Sequence, residues 1–321
     1  MAENQSTSAP LFRADLHVHS RHSGTAKHLR TLQCLDSYST PLAVYRRARS
    51  RGMNLVTITD HDSIDGCLEL LDQLPGDDII IGEEVTAYVP ELHHNVHVGV
   101  YDITEAHHKE IQSLRGNLVE LVGYLRAQNI LYALNHLFHD FTRDDKLVDY
   151  ITLMFNLFDN FEEQNGSMQR IHNQFISRLL RQMESQGKKL GRIGGSDSHT
   201  LRRIGRTYTA STATNKQEFL ADIRAGRSFV TGRHCNQLQL AGDIYGVVLG
   251  YYPYILQWRS GDFSLVARIK NIALSLGLIP FLFIPYLAAF RHSRGEIQRL
   301  EQFTKLFFDG PAAPLADSPS K

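Results

Sequence analysis

Histidines and carboxylates recur in short clusters over the first 200 residues of this chain. In the stretch DLHVHS, two imidazoles, His17 and His19, stand two residues apart on a predicted strand, so both point to the same side. The further candidates for metal ligands in other clusters are His61, Glu84, His97, His136, Asp197 and His199. Imidazole and carboxylate ligands together suit zinc, manganese or iron, and a carboxylate can bridge two ions.

Short apolar stretches alternate with longer helical stretches along the chain, and this pattern predicts the fold that holds these residues. The predicted strands include residues 53–59, 78–82, 95–101, 130–134 and 153–159; the predicted helices include 105–128 and 165–186. Such alternation is typical of an α/β domain with a largely parallel sheet or barrel. Five of the six ligand groups lie at the ends of predicted strands, where active sites of such folds collect, whereas His97 lies within a strand.

The order of these motifs resembles that of the polymerase and histidinol phosphatase (PHP) superfamily. The resemblance extends over residues 12–235 and rests on DLHVHS, TDHDS, the EE pair, HVGVY, NH and GGSDSHT, which occur in this order. It implies a distorted (β/α)7 TIM-like barrel that holds two or three divalent metal ions (Mn, Zn or Fe). It also implies a metal-dependent phosphoesterase, which hydrolyses its substrate with a metal-activated hydroxide.

The resemblance also assigns roles to the candidate ligands. It implies that His17, His19 and Asp197 bind a first ion, and that Glu84 rather than Glu83 is the bridging carboxylate. It implies that His97 and His136 complete a second site, and that His61 and His199 serve a third. One position departs from the family pattern: an acidic residue or histidine is expected five or six residues after His19, where this chain has Gly24 and Thr25. His22 and His28 are the candidates to replace it.

Residues beside the ligands are candidates for supporting roles. Asp15 and Asp60 are adjacent in sequence to ligand motifs, and we expect them to fix imidazole tautomers. Arg202, Arg203 and Arg206 follow the SDSH motif and are candidates for binding a substrate phosphate, because a guanidinium pairs with two oxygens. The alternative for each arginine is an ordinary solvated surface residue.

The amino-acid composition limits which binding partners and which cellular compartment are expected for this chain. Lys+Arg and Asp+Glu number 34 each, so the net charge is zero and no stable nucleic-acid partner is expected. The substrate is expected to be a small phosphorylated metabolite or a short nucleotide. A metal-binding module that has lost turnover and serves as a structural or regulatory platform is the alternative. The three separated cysteines indicate neither a disulfide framework nor a thiolate zinc site, which favours a cytoplasmic location.

The two ends of the chain differ from its middle. Residues 1–10 are predicted to be a disordered leader, 11–235 the PHP domain, and 236–321 a C-terminal extension. Within this extension, residues 271–290 carry no charge over about the length of one membrane-spanning helix. Pro280 and Pro285 argue against an unbroken helix. Two interpretations stay open: an association with the membrane surface, and a hairpin buried against the domain or in a dimer.

Overall fold

Among the described residues, nine β-strands form the centre of the fold. The computed structural model describes residues 11–26, 33–256, 263–277 and 283–308. The strands are β1 (Phe12–Asp15), β2 (Leu55–Ile58), β3 (Ile79–Val89), β4 (His94–Tyr101), β5 (Leu131–Leu134), β6 (Asn160–Asn165), β7 (Gly191–Gly195), β8 (Tyr208–Ser211) and β9 (Phe229–Thr231). Since the leader lies outside the described residues, its predicted disorder stays a prediction.

The strands hydrogen-bond in the order β7-β6-β5-β4-β3-β2-β1-β8-β9. Neighbours are parallel from β1 to β3 and again from β5 to β7. Strand β4 runs antiparallel to both β3 and β5, so the two parallel sets point in the same direction. The remaining strands, β8 and β9, extend the sheet beyond β1 in antiparallel pairs.

Contacts between β7, β8 and the segment after β1 curl the sheet into a nearly closed barrel. Just beyond the strands, the Asp197 N–H donates to the His17 carbonyl at 2.7 Å, and the His19 N–H donates to the Ser198 carbonyl at 3.2 Å. The Gly194 N–H of β7 also donates to the Thr209 hydroxyl of β8 at 2.8 Å. The predicted distorted TIM-like barrel is therefore confirmed, with β4 reversed.

Ten α-helices cover and extend the sheet within the described part of the chain. They are α1 (Pro41–Ser50), α2 (Asp65–Gln73), α3 (Glu105–Leu114), α4 (Leu118–Ala127), α5 (Leu147–Leu157), α6 (Arg170–Ser185), α7 (Lys216–Arg224), α8 (Gln237–Leu256), α9 (Leu265–Gly277) and α10 (Ile284–Phe308).

Two predicted elements differ from those observed. The single helix expected over 105–128 is two helices, because the Asn117 side chain accepts the Val119 N–H and starts α4 afresh just after Gly116. The strand expected over 153–159 is the end of α5, where Ile151, Met154 and Phe155 are buried at helical spacing.

The C-terminal helix α10 shares the main hydrophobic core of the barrel. Leu300, Phe303 and Phe307 are buried in the same cluster as the side chains of α4, α5 and α6. The Phe303 ring lies 5.6 Å from that of Phe138 and 6.0 Å from that of Phe141, between ring centroids. Separate domains at residue 235 stay a prediction, but α10 is part of the packing that supports the barrel.

The uncharged segment 271–290 is divided between two helices. Its first residues end α9 and its last residues begin α10, while residues 278–282 lie outside the described part of the chain. Among the described residues, no helix combines the length and apolar character needed to cross a membrane.

Because α10 shares the core of the barrel, we expect substitution of its buried residues to destabilise the barrel. Phe303→Ala removes a fully buried ring, and we expect a loss of about 3–5 kcal/mol in the free energy of unfolding. Leu306→Ala, on the same helix but 49% exposed, is the control and should change stability by no more than about 0.5 kcal/mol. Chemical denaturation monitored by circular dichroism measures both. Equal stabilities for the two variants would show that α10 does not support the core.

Candidate metal centre

All eight predicted ligands lie together at the end of the barrel where the parallel strands finish. Four groups have potential ligand atoms within 4.8 Å of one another. These groups are His17–His19–Glu84, His17–His136–Asp197, His61–Glu84–His97 and His19–Asp36–His61–His199. Because the groups share members, they form one cluster of nine side chains rather than separate sites.

Glu84 of β3 is the carboxylate at the centre of the cluster. Its oxygens lie near nitrogens of five imidazoles, at 3.1 Å from His17, 3.6 Å from His19, 3.1 Å from His61, 3.4 Å from His97 and 3.1 Å from His136. Burial alone raises the pKa of this carboxyl, but the surrounding histidines lower it well below its usual value. Glu84 is therefore ionised. The neighbouring Glu83 instead contacts His108.

His17 is oriented by a carboxylate that the sequence analysis missed. Its Nδ1 lies 2.9 Å from Oε1 of Glu162 on β6, which leaves Nε2 directed at Glu84. The other Glu162 oxygen accepts the His136 N–H at 2.9 Å. A carboxylate oxygen that accepts a hydrogen bond from Nδ1 keeps the proton on that nitrogen and leaves Nε2 available for a cation. Glu162 therefore has the role that was predicted for Asp15 and Asp60.

Asp60 acts on an imidazole only through an intermediate hydroxyl. Ser23 Oγ lies 2.8 Å from His19 Nδ1 and donates to Asp60 at 2.9 Å. Asp60 also accepts the N–H and the hydroxyl of Ser20, each at 2.6 Å. This chain of hydrogen bonds fixes the ring of His19 and the loop that follows it.

Asp15 contacts backbone N–H groups instead of an imidazole. Its carboxylate accepts the Ser196 N–H at 2.8 Å and the Gly205 N–H at 2.7 Å. Burial raises its pKa to about 6, against the opposing effect of these hydrogen bonds. Asp15 therefore does not fix an imidazole ring, as was predicted. It connects the loop that carries Asp197 to β1.

The reversed direction of β4 explains why His97 lies inside a strand. His97 pairs with Thr86 near the beginning of β4, and that end of β4 lies at the edge where the parallel strands finish. Two other ligands, His136 and Asp197, directly follow strands and have positive φ angles of 23° and 48°. Such left-handed conformations cost non-glycine residues roughly 1–3 kcal/mol each, and they concentrate at functional sites.

Asp36 fills the position for which the sequence offered Gly24 and Thr25. Its Oδ2 lies 2.8 Å from His199 Nε2 and 3.6 Å from His61 Nε2. Burial raises the pKa of Asp36, but these histidines bring it below its usual value. Burial lowers the pKa of the His199 imidazole, but the Asp36 carboxylate raises it, and the resulting pKa is about 10. A carboxylate from the following loop therefore completes the group His19–Asp36–His61–His199.

The sequence offered His22 and His28 as replacements for the ligand that is missing at Gly24 and Thr25. His22 lies 2.6 Å from Glu69, outside the cluster. His28 lies outside the described residues.

Unpartnered polar atoms show that this cluster fits divalent cations. Several buried side-chain atoms make no well-aligned hydrogen bond among the described residues, although some lie within ion-pair distance of one another. Six of them belong to the cluster: His17 Nε2, His19 Nε2, Asp36 Oδ2, His61 Nδ1, Glu84 Oε2 and His97 Nδ1. Buried polar atoms without partners are costly, and here they converge as nitrogen and oxygen donors. This donor set suits zinc, manganese or iron.

A polar cavity of about 660 Å³ opens onto the cluster. Its wall includes the candidate ligands Asp36, His61, His97 and His136, together with Gly24. A Cβ at Gly24 would meet nothing within 4 Å, so the space beside this residue is open.

The three candidate arginines are not among the described residues that line the cavity. Arg203 is buried, and its guanidinium donates to the Gly166 carbonyl and pairs with Asp243 of α8 at 2.6 Å. Arg202 contacts the Gly242 carbonyl at 3.4 Å. These contacts connect the SDSH loop to the barrel and to α8. Phosphate binding by Arg202, Arg203 and Arg206 stays a prediction.

Comparison with known proteins supports the resemblance inferred from the motifs. A family model described as PHP-associated matches residues 185–228, which include β7, Asp197, His199 and α7. This match confirms the resemblance to the PHP superfamily. The uncharacterized protein MJ1587 of Methanocaldococcus jannaschii is 36% identical over 82 residues, which make up 25% of this chain and 47% of that protein. The aligned part thus spans about half of that relative.

Two solved structures resemble the chain at low sequence identity. A two-domain protein from Bacteroides vulgatus, described as containing a predicted PHP-like metal-dependent phosphoesterase, is 14% identical with a TM-score of 0.49. That match covers 76% of this chain and 70% of the other. PsfC from Pseudomonas syringae is 16% identical with a TM-score of 0.49, over 76% of this chain and 97% of its own. Likeness at this level carries no inference about activity.

Close packing at Gly195 gives a direct test of how the cluster is held. A Cβ at this position would lie 2.2 Å from His17 Cβ and 2.5 Å from His17 N. Gly195→Ala must therefore displace His17, and we expect a loss of about 1–3 kcal/mol in unfolding free energy together with weaker metal binding. Gly123→Ala, where nothing lies within 4 Å, is the control and should not destabilise the protein. Thermal unfolding with and without Mn²⁺ measures both effects; an unchanged Gly195→Ala protein would contradict this packing.

Proposed function

We propose that this chain is a metal-dependent phosphoesterase that hydrolyses a small phosphorylated metabolite or a short nucleotide. The observation that carries the proposal is the convergence of nine histidine and carboxylate side chains around the buried, ionised Glu84, with unpartnered donor atoms facing one another. Such a donor set is far richer than a structural role requires, and a cavity opens directly onto it.

The shared carboxylates suggest how the ligands divide among two or three ions. Following the family resemblance, we assign His17, His19, Glu84 and Asp197 to the first ion, Glu84, His97 and His136 to the second, and Asp36, His61 and His199 to the third. In the structure, His136 also groups with His17 and Asp197, and His61 with Glu84 and His97. When bound, divalent ions would supply neutralisation of phosphate charge and a lowered pKa of water. We assign the metals to the class of Mn, Zn or Fe from the imidazole and carboxylate donors.

The protein itself contributes orientation of these ligands. Asn135 donates to Glu84 Oε1 at 2.8 Å, and Asn165 donates to Asp197 Oδ2 at 3.1 Å. Glu162 holds the ring of His17 and the backbone N–H of His136, as described above. These contacts leave the opposite face of each ligand free for a cation, so the site is organised before any ion binds.

The size of the cavity supports a small substrate. A volume of about 660 Å³ lies within the roughly 300–1,000 Å³ usual for small-molecule sites. The zero net charge of the chain offers little attraction for a long nucleic acid. A phosphomonoester or a short phosphodiester therefore suits this site better than a duplex.

The proposal predicts a defined pattern of activities for the full-length chain. We expect metal-dependent hydrolysis in a panel of phosphomonoesters and phosphodiesters, tested in turn with Mn²⁺, Zn²⁺ and Fe²⁺. Asp197→Asn should abolish it, because this carboxylate lies next to both His17 and His19. Glu162→Gln should reduce metal affinity or activity by roughly 10–100-fold, since it removes the charge that holds His17.

The neighbouring Glu163 provides the matched control. It pairs with Arg192 at 2.6 Å, away from the ligands, so Glu163→Gln should retain the turnover of the parent. The full chain is needed because α10 packs in the core of the barrel. Folded, metal-loaded parent protein that hydrolyses no panel member, or an Asp197→Asn variant as active as the parent, would refute the proposal.

A further inference from the structure

The helix α9 has its polar and apolar faces reversed relative to an ordinary surface helix. Its inward residues are Arg268, Asn271 and Ser275, which are at most 5% exposed and follow the spacing of one helix face. The outward residues are apolar, and Val266 is 76% exposed and Ile269 60% exposed. A helix that buries polar groups and presents aliphatic side chains to solvent is costly unless something covers those side chains.

The inward face of α9 is held in this orientation by its contacts with α8. The Arg268 guanidinium donates to the carbonyl of Ile255 at 2.7 Å and lies against the ring of Phe263. Rotating the helix to bury the aliphatic residues would break this buried contact. The orientation therefore follows from specific interactions.

The first turns of helix α10 also expose apolar side chains. Ile284, Tyr286 and Leu287 are 42–48% exposed, while Ala289, and further along the helix Ser293 and Glu296, are buried. Both α9 and α10 pack against α8. We call the exposed residues of the two helices the C-terminal apolar face; they are Leu265, Val266, Ile269, Leu274, Leu276, Ile284, Tyr286 and Leu287.

The exposed charged residues of these two helical segments are basic. The exposed ionisable residues Lys270, Arg291 and Arg294 lie on the same two helical segments. The sequence has no acidic residue in 265–277 or in 284–295. Exposed aliphatic side chains flanked by cations are the combination with which amphipathic helices bind anionic membrane surfaces.

We propose that the C-terminal apolar face docks on an anionic phospholipid surface, with the helices lying at the interface. A two-fold contact with a second copy of the chain is disfavoured, because it would bring the same set of cations close to its own copy without compensating carboxylates. An anionic lipid surface instead supplies both the negative charge and the apolar layer.

Vesicle co-sedimentation of the full-length chain tests this proposal. We expect strong binding to phosphatidylcholine vesicles that contain phosphatidylglycerol, weaker binding to phosphatidylcholine alone, and release by high salt. Lys270→Gln should weaken binding to the anionic vesicles roughly fivefold, the equivalent of about 1 kcal/mol per basic residue near such a surface. Val266→Glu combined with Ile269→Glu should weaken it by more than roughly tenfold.

A matched double variant distinguishes the loss of the C-terminal apolar face from a general effect of two added negative charges. Val119→Glu combined with Val148→Glu also replaces two exposed valine side chains, on α4 and α5, and should bind vesicles as the parent does. The proposal is overturned if the parent stays in the supernatant with both vesicle types, or if the two double variants lose binding equally. It is also overturned if the parent is a dimer in solution that Val266→Glu with Ile269→Glu converts to a monomer without any effect on vesicle binding.

Discussion

The arrangement of the barrel's open end depends on one buried negative charge. Glu84 is fully buried, within 3.6 Å of five imidazoles, and an ionised carboxylate in such a place needs cations or hydrogen-bond donors around it. The five imidazoles come from four parts of the fold: the segment after β1, the loop after β2, strand β4 and the loop after β5. The requirement to surround Glu84 therefore ties distant parts of the sequence to one another.

The barrel and the site stabilise each other. The loops that follow β1 and β7 hydrogen-bond to one another where they carry His17 and Asp197, so the same backbone contacts close the sheet and place two ligands. Gly195 allows this approach, because β7 passes too close to His17 for any side chain. The positive φ angles of His136 and Asp197 are maintained by this surrounding structure. Helix α10 completes the core beneath it.

The candidate ligands could be predicted from the sequence where they follow apolar strands, because parallel strands bring their carboxyl ends to one edge. Asp36 could not, since no strand precedes it and its place depends on the path of a loop. Glu162 was missed because β6 has the polar sequence NFEEQN, which does not look like a strand. Without a predicted strand, the sequence did not show which of these side chains would face the cluster. Only the structure shows the reversal of β4 and the outward apolar face of α9.

Metal stoichiometry tests the central claim, that a shared carboxylate joins several cation sites. Purified full-length protein would be equilibrated with Mn²⁺ or Zn²⁺, and the bound metal would be counted by plasma mass spectrometry beside Glu84→Gln. The account predicts more than one tightly bound ion per chain in the parent, and the loss of more than one equivalent in the variant, because Glu84 belongs to two of the ligand groups. A parent that binds no ion, or a folded variant that retains the parent's full metal content, would contradict it.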